Sequence, residues 1–112
     1  MQRRTSGEFL YLTTTGRVSG LPREIEIWYL EANSRYYLLS EGGRKANWVR
    51  NIEKNARVKV SVGKRAFAGT ARVVDEKRDA KTYALAHRLG KQKYDWDSGL
   101  PVEIIPDTSP PG

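Results

Sequence analysis

From Phe9 to Val74 the chain mostly alternates apolar and polar residues, and beyond Asp75 the period lengthens, so strands should come first and a long helix late. Phe9 to Thr15 is aromatic and β-branched, closes at Gly16 and reads as a strand. Arg23 to Glu31 alternates as a second strand, with Ile25, Ile27 and Tyr29 on one face and Glu24, Glu26, Trp28 and Leu30 on the other. Ala32-Asn33-Ser34 predicts a hairpin turn into a return strand over Arg35 to Ser40, which Glu41-Gly42-Gly43 breaks. Trp48 and Ile52, four apart, share one face of a short helix over Ala46 to Lys54. Val58, Val60 and Val62 against Lys59 and Ser61 make Arg57 to Val62 the most regular strand, and Gly63-Lys64 turns it into another over Arg65 to Val74. Asp75 to Leu89 has a helical face of Ala80, Tyr83, Ala84, Ala86, His87 and Leu89. Asp75 and Glu76 suit that helix's positive N-terminal end, His87 and Arg88 its C-terminal end, and Gly90 its stop. A last strand over Val102 to Ile105 follows Pro101, and Asp107 to Gly112, with Pro110-Pro111, is expected to be a disordered tail.

These elements predict a mainly β fold: one antiparallel barrel of about six strands with two helices added, a single domain over residues 1–106. The face bearing Trp28 and Leu30 is too apolar to be simply solvated. A partner subunit or a planar ligand is expected over it, and a symmetric homodimer is the expected assembly.

Composition narrows the chemistry. A chain of 112 residues suits one domain with little surplus core. There is no cysteine, so disulfides and thiol catalysis are excluded, and the lone histidine, His87, rules out a multi-histidine metal site in one chain; no metal is expected. No apolar run reaches the roughly 18 residues of a membrane span, and Met1-Gln2-Arg3-Arg4 lacks the apolar block of a signal peptide, so a soluble cytoplasmic protein is expected. The formal net charge of +7 favours anionic partners, although acidic residues are interspersed nearly everywhere.

Two stretches gather residues suited to an anion. In "TTTGRVSGLPR", Gly16 and Gly20 allow backbone N–H groups to converge, Pro22 stiffens the exit, and Thr14, Thr15 and Ser19 add hydroxyls. Arg17 and Arg23 supply planar forks suited to phosphate or carboxylate. A tight connection with solvated arginines is the other reading of this loop. In "SEGGRKANWVRN", Ser40 closes a strand, Gly42 and Gly43 allow close backbone approach, and a helix begins nearby with free N–H groups. Trp48 there reads as a core anchor or a ligand platform, and Asn51 as a ligand contact or a partner for neighbouring backbone.

The strings "LTTTGRVSGLPREIEIWYL", "RYYLLSEGG", "NWVRNIEKNARVKVSVG" and "GTARVV" occur in the order found in the deazaflavin-dependent nitroreductase family, which this chain resembles from Leu12 to Val74 and more loosely through "KYDWDSGLPVEII". The resemblance implies a split antiparallel β-barrel of the flavin-reductase/FMN-binding type, a dimer, and coenzyme F420, a deazaflavin with a phosphate and an oligoglutamate tail. It implies hydride transfer from the reduced deazaflavin to a nitro-, enone- or quinone-like acceptor. Carried over by position, Arg17, Ser19, Gly20, Pro22 and Arg23 hold the phosphate and tail, and Ser40, Gly42, Gly43, Trp48 and Asn51 lie along the rest of the cofactor. Trp28 and Tyr94 line the substrate pocket. Tyr94 is also a proton donor by this reading, with plain aromatic packing as its alternative. Val18 stands where the family usually has a basic residue, and Glu41 where a basic or neutral one occurs.

Two other readings stay open. One is an FMN or haem binder on the same barrel. The other is a basic nucleic-acid-binding barrel, which needs aromatics interleaved with cations along a groove. "RYY" at Arg35 to Tyr37 is the one such string, and alternation puts its tyrosines on opposite faces. This reading ranks last, and no nucleic-acid partner is expected.

Overall fold

A computed structural model describes residues 9–107. Seven strands form one antiparallel sheet: β1 (Phe9–Thr15), β2 (Pro22–Trp28), β3 (Leu30–Ala32), β4 (Arg35–Ser40), β5 (Arg57–Val62), β6 (Arg65–Val73) and β7 (Leu100–Pro106). Helix α1 (Asn47–Lys54) lies between β4 and β5, and α2 (Ala80–Tyr94) between β6 and β7. The sheet order is β2-β1-β5-β6-β7-β4-β3. β2 and β3 occupy opposite ends of that order yet are separated in the chain by Tyr29 alone, so the sheet must curl until its ends nearly meet. This is a split barrel, mainly β with two helices.

The expected strand over Arg23 to Glu31 is therefore two. Trp28 is the last partner of β1, opposite Phe9, and Leu30 is the first partner of β4, opposite Tyr37. The freed Tyr29 carbonyl accepts from Lys93 Nζ at 3.2 Å and from the Tyr94 hydroxyl at 2.7 Å. The end of α2 thus clamps the split and brings Tyr94 beside Trp28.

The barrel interior is filled by Leu10 and Leu12 of β1, Leu38 of β4, Val60 of β5 and Val102 and Ile104 of β7, with Val49 of α1 closing one end. Each such side chain contributes about 1.5–3 kcal/mol of burial. A second cluster joins Leu30, Tyr37 and Ala86 outside the barrel under α2. Tyr36 and Tyr37 face opposite ways as alternation requires, and both rings are buried, one in each core. The "RYY" string therefore offers no exposed stacking surface for a nucleobase. Leu30 is covered by the chain's own α2, not by a partner, so it no longer argues for a dimer.

The turns follow their residues. Asn33 and Ser34 are both at positive φ (55° and 63°), a two-residue turn whose twist matches its strands. Gly63 alone takes positive φ between β5 and β6.

Helix α2 departs most from expectation. Asp75 lies outside it: its Oδ1 accepts from the backbone N–H groups of Lys77 and Arg78, each at 2.8 Å, and this local turn displaces the first helical residue to Ala80. Those N–H groups hold the Asp75 carboxyl below the usual carboxylate range. Gly90 is buried inside the helix instead of ending it. A Cβ there would stand 2.4 Å from the Trp96 carbonyl oxygen and 2.9 Å from Leu39 Cδ1. The stop is Asp95, in the left-handed conformation at φ 58°. β7 begins at Leu100 and runs to Pro106, longer at both ends than Val102 to Ile105. Asp107, expected to start the tail, is tied back by Arg57 at 2.6 Å and 2.9 Å; residues 108–112 lie outside the described residues.

One buried charge stands among the strands. Glu103 of β7, 1 % exposed, accepts from Arg72 at 2.7 Å, Tyr37 at 3.0 Å and Arg35 at 3.2 Å. Burial pushes its carboxyl up, but the hydrogen bonds from Arg72, Tyr37 and Arg35 outweigh it and hold the group below its ordinary value. Arg72 also reaches Asp79, the residue before α2, so this network ties the helix to the sheet. Among the described residues, no helix is long and apolar enough to cross a membrane.

Candidate functional site

The β1–β2 connection is a closed loop whose backbone is largely spent on itself. Gly16 N–H donates to the Leu21 carbonyl and Gly20 N–H to the Gly16 carbonyl, both at 2.8 Å, while Leu21 N–H donates to Ser19 Oγ at 3.1 Å. The Arg17 N–H is taken by Asn51 Oδ1 at 3.1 Å. Few amides remain to form an anion-binding concavity, so the loop's capacity for an anion rests on its guanidinium groups.

Those two arginines differ. Arg17 reaches Asn51 Oδ1 at 2.9 Å and Asn47 Oδ1 at 3.2 Å, so it pins the loop against the start of α1. Arg23 enters no salt bridge among the described residues. Asn51 is the keystone, 4 % exposed: its Oδ1 accepts from Arg17, and its Nδ2 donates to Thr14 Oγ1 at 3.0 Å. Its side chain is thus engaged by protein on both ends. Helix α1 begins at Asn47, and Ala46 before it provides no side-chain cap, leaving its first-turn N–H groups available beside the arginine loop.

Arg17, Ser19, Arg23 and Asn51 line a cavity of about 500 Å³ whose far wall is Trp48. Trp48 also lines a second cavity of about 500 Å³, with Ser40, Gly42, Trp28 and Tyr94 around it. It packs on the barrel core as well, so it is both anchor and wall. Trp28 and Tyr94 stack with centroids 4.6 Å apart and planes at 19°. Ser40 is buried and donates to the Gly43 carbonyl at 3.0 Å, which sets the bend where Gly43 takes φ 60°.

Most of the sequence-predicted residues therefore converge on a two-part groove. Gly43 lines neither cavity; its carbonyl accepts from Ser40. Gly20 and Pro22 border a different hollow, of about 240 Å³, with Arg57 and Val58. The Tyr94 hydroxyl is directed to the Tyr29 carbonyl. Sequence reading missed Asn47, which carries Arg17, and Phe9, Glu26, Leu39 and Trp96 in the second cavity. Only Glu26 left a signal, its place on the same strand face as Trp28. His87 donates from Nε2 to the Gly99 carbonyl at 2.8 Å, packs edge-on against Tyr83 and lines neither cavity. Among the described residues no three acidic or imidazole groups gather to hold a metal.

The groove fits an elongated ligand with an anionic end and a flat end: guanidinium groups and free helix N–H groups at one mouth, aromatic walls at the other. F420 has that form. Solved structures show the same fold. An F420-H2-dependent reductase, FDR-A, matches at a TM-score of 0.67 with 23% identity over 94% of this chain and 100% of that chain. The haem storage protein HutZ of Vibrio cholerae matches at 0.65, with 18% identity over 92% of this chain and 84% of its own. A domain-swapped dimer matches at 0.65, with 24% identity over 90% of this chain and 82% of that chain. A family model, the F420H(2)-dependent quinone reductases, matches residues 2–105. By that match, which bears out the resemblance read from its strings, the chain belongs to the F420H2-dependent quinone reductase family, reductases whose cofactor is coenzyme F420.

Proposed function

We propose that the groove holds F420 with its phosphate and tail against Arg23 and Arg17 and its ring system beside Trp48, and that the chain reduces a planar organic acceptor placed against Trp28 and Tyr94. The observation that carries this is the sharing of Trp48 by a cavity lined by arginines and a cavity lined by aromatic rings. When bound, reduced F420 supplies hydride. The protein's part is to fix one end by charge, to seat the ring on Gly42 and Ser40, and to exclude water with Trp28, Tyr94 and Leu39. Quinone-like acceptors come first, and enone and nitro compounds share their flat, electron-poor form. Tyr94 serves as acceptor contact; its hydroxyl, held on a backbone carbonyl, favours a positioning role over proton donation.

The haem alternative has little support, because the one histidine is spent on Gly99. FMN has a tricyclic ring of similar shape and a phosphate but not the glutamate tail, so the arginine end discriminates between them. A cytoplasmic homodimer is part of the reading; the domain-swapped relative supports it, as does the half-exposed ring of Tyr11, which lines neither of these cavities.

Titration of the purified protein with F420 and with FMN tests the proposal. Arg23→Ala should weaken F420 by about 10- to 100-fold, the loss of one charge-assisted contact, with unfolding unchanged because Arg23 enters no ion pair among the described residues. Absence of F420 binding alongside retained FMN would overturn it.

A further inference from the structure

We propose that the aromatic end of the groove selects acceptors by charge, taking a positively charged planar ring in preference to a neutral or anionic ring of the same shape. This rests on the reductase reading and adds the acceptor's electrical character to it.

The two cavities are oppositely charged. Among the described residues, Arg17 and Arg23 are the charged groups lining the first cavity, and Glu26 and Glu41 those lining the second. A chain of net charge +7 thus turns carboxylates and, among the described residues, no cation toward the end where the acceptor lies. Neither glutamate enters a salt bridge among the described residues, so their charge is not cancelled by a fixed neighbour. Lys93 stands nearby but does not line the cavity: its ammonium lies on the Tyr29 carbonyl and over the Tyr29 ring at 4.4 Å and the Tyr94 ring at 5.1 Å.

The walls agree with the charge. Phe9, Trp28 and Trp96 are 41 %, 46 % and 40 % exposed, large rings left open around the cavity, and the Trp28–Tyr94 stack is a slab that another flat ring can extend. Aromatic faces with carboxylates at the rim attract an organic cation, because ring quadrupole and carboxylate act with the same sign. The redox balance fits. A cationic acceptor that takes a hydride leaves as a neutral product, while the two-electron donor releases its remaining proton to water. Neutralisation removes the attraction that brought the acceptor in, which favours product release.

Three rings of one shape test this: N-methylphenazinium, phenazine and phenazine-1-carboxylate, titrated by quenching of tryptophan fluorescence, with and without F420. The cation should bind about tenfold more tightly than phenazine, two carboxylates each contributing up to about fivefold, and the anion weakest. The protein's overall positive charge would give the reverse order, so the sign is diagnostic. The double variant Glu26→Gln, Glu41→Gln should erase the preference, as should about 0.5 M salt. Equal binding of the three rings, or a preference unchanged in the double variant, would overturn the inference. F420 binding is measured separately in the same samples. F420 affinity without ring discrimination defeats only the charge selection, and ring discrimination without F420 affinity defeats only the reductase reading.

Discussion

Asn51 joins the stability of this protein to its proposed chemistry, and replacing it separates the two. Its side chain satisfies the Arg17 N–H, the Arg17 guanidinium and the buried Thr14 hydroxyl, which is 1 % exposed. Asn51→Ala leaves the first and last of these without partners. Each orphaned buried group costs about 1–3 kcal/mol. The Arg17 end is partly exposed and recovers water, so the sum should fall near 2–3 kcal/mol, a drop in Tm of roughly 10–20 °C for a domain of this size. Asn51→Asp behaves differently. Its oxygens still accept from Arg17, and the Thr14 hydroxyl can donate to the carboxylate, so stability should fall by only about 1 kcal/mol. Yet it places a negative charge in the cavity of Arg17 and Arg23, and F420 affinity should fall by at least about tenfold. Urea unfolding and F420 fluorescence titration read the two effects independently. An Ala variant as stable as the parent, or an Asp variant that binds F420 undiminished, would refute the reasoning.

Other expectations follow from the same packing. Gly90→Ala gains up to about 1 kcal/mol of helix propensity, but its methyl group meets a carbonyl at 2.4 Å, so a net loss of about 1–3 kcal/mol is expected by thermal melting, with altered Trp96 fluorescence as its wall shifts. Glu103→Gln should cost about 2–4 kcal/mol in denaturant, below the largest values for a broken buried pair because Arg72 and Arg35 keep side-chain exposures of 39% and 45%. The folded-state pKa of Glu103 is depressed, so its contribution is fully present above the ordinary glutamate value and is lost as pH falls through the lower folded value. Stability measured downward from about pH 5 should fall less steeply in Glu103→Gln than in the parent. Ser34→Gly relieves a side chain held at φ 63° and should raise stability by about 0.5 kcal/mol, seen as a Tm higher by a few degrees.

The sequence by itself determined which segments become strands, where two of them turn back on their neighbours, and which faces they bury. Val58, Val60 and Val62 point inward because strand side chains alternate, and the two turns after Ala32 and Val62 follow from residues that tolerate positive φ. It also marked the arginine loop and the glycine bend as unusual, and its ordered strings pointed to F420-dependent enzymes. These are local properties, settled by neighbours a few residues apart. What only the tertiary structure decided are the contacts between distant segments. That Tyr29 splits one alternating run into two strands depends on Lys93 and Tyr94, more than sixty positions later. Gly90 is a packing residue because Trp96 and Leu39 close over it, which no helix-stop rule can anticipate. Asn51 turned out to be a keystone and Arg23 the freer arginine because α1 docks on one side of the loop. The opposed charges of the two cavities arise in the same way: curling the sheet brings β2 against the β4–α1 bend, and only then do Glu26 and Glu41 share a wall.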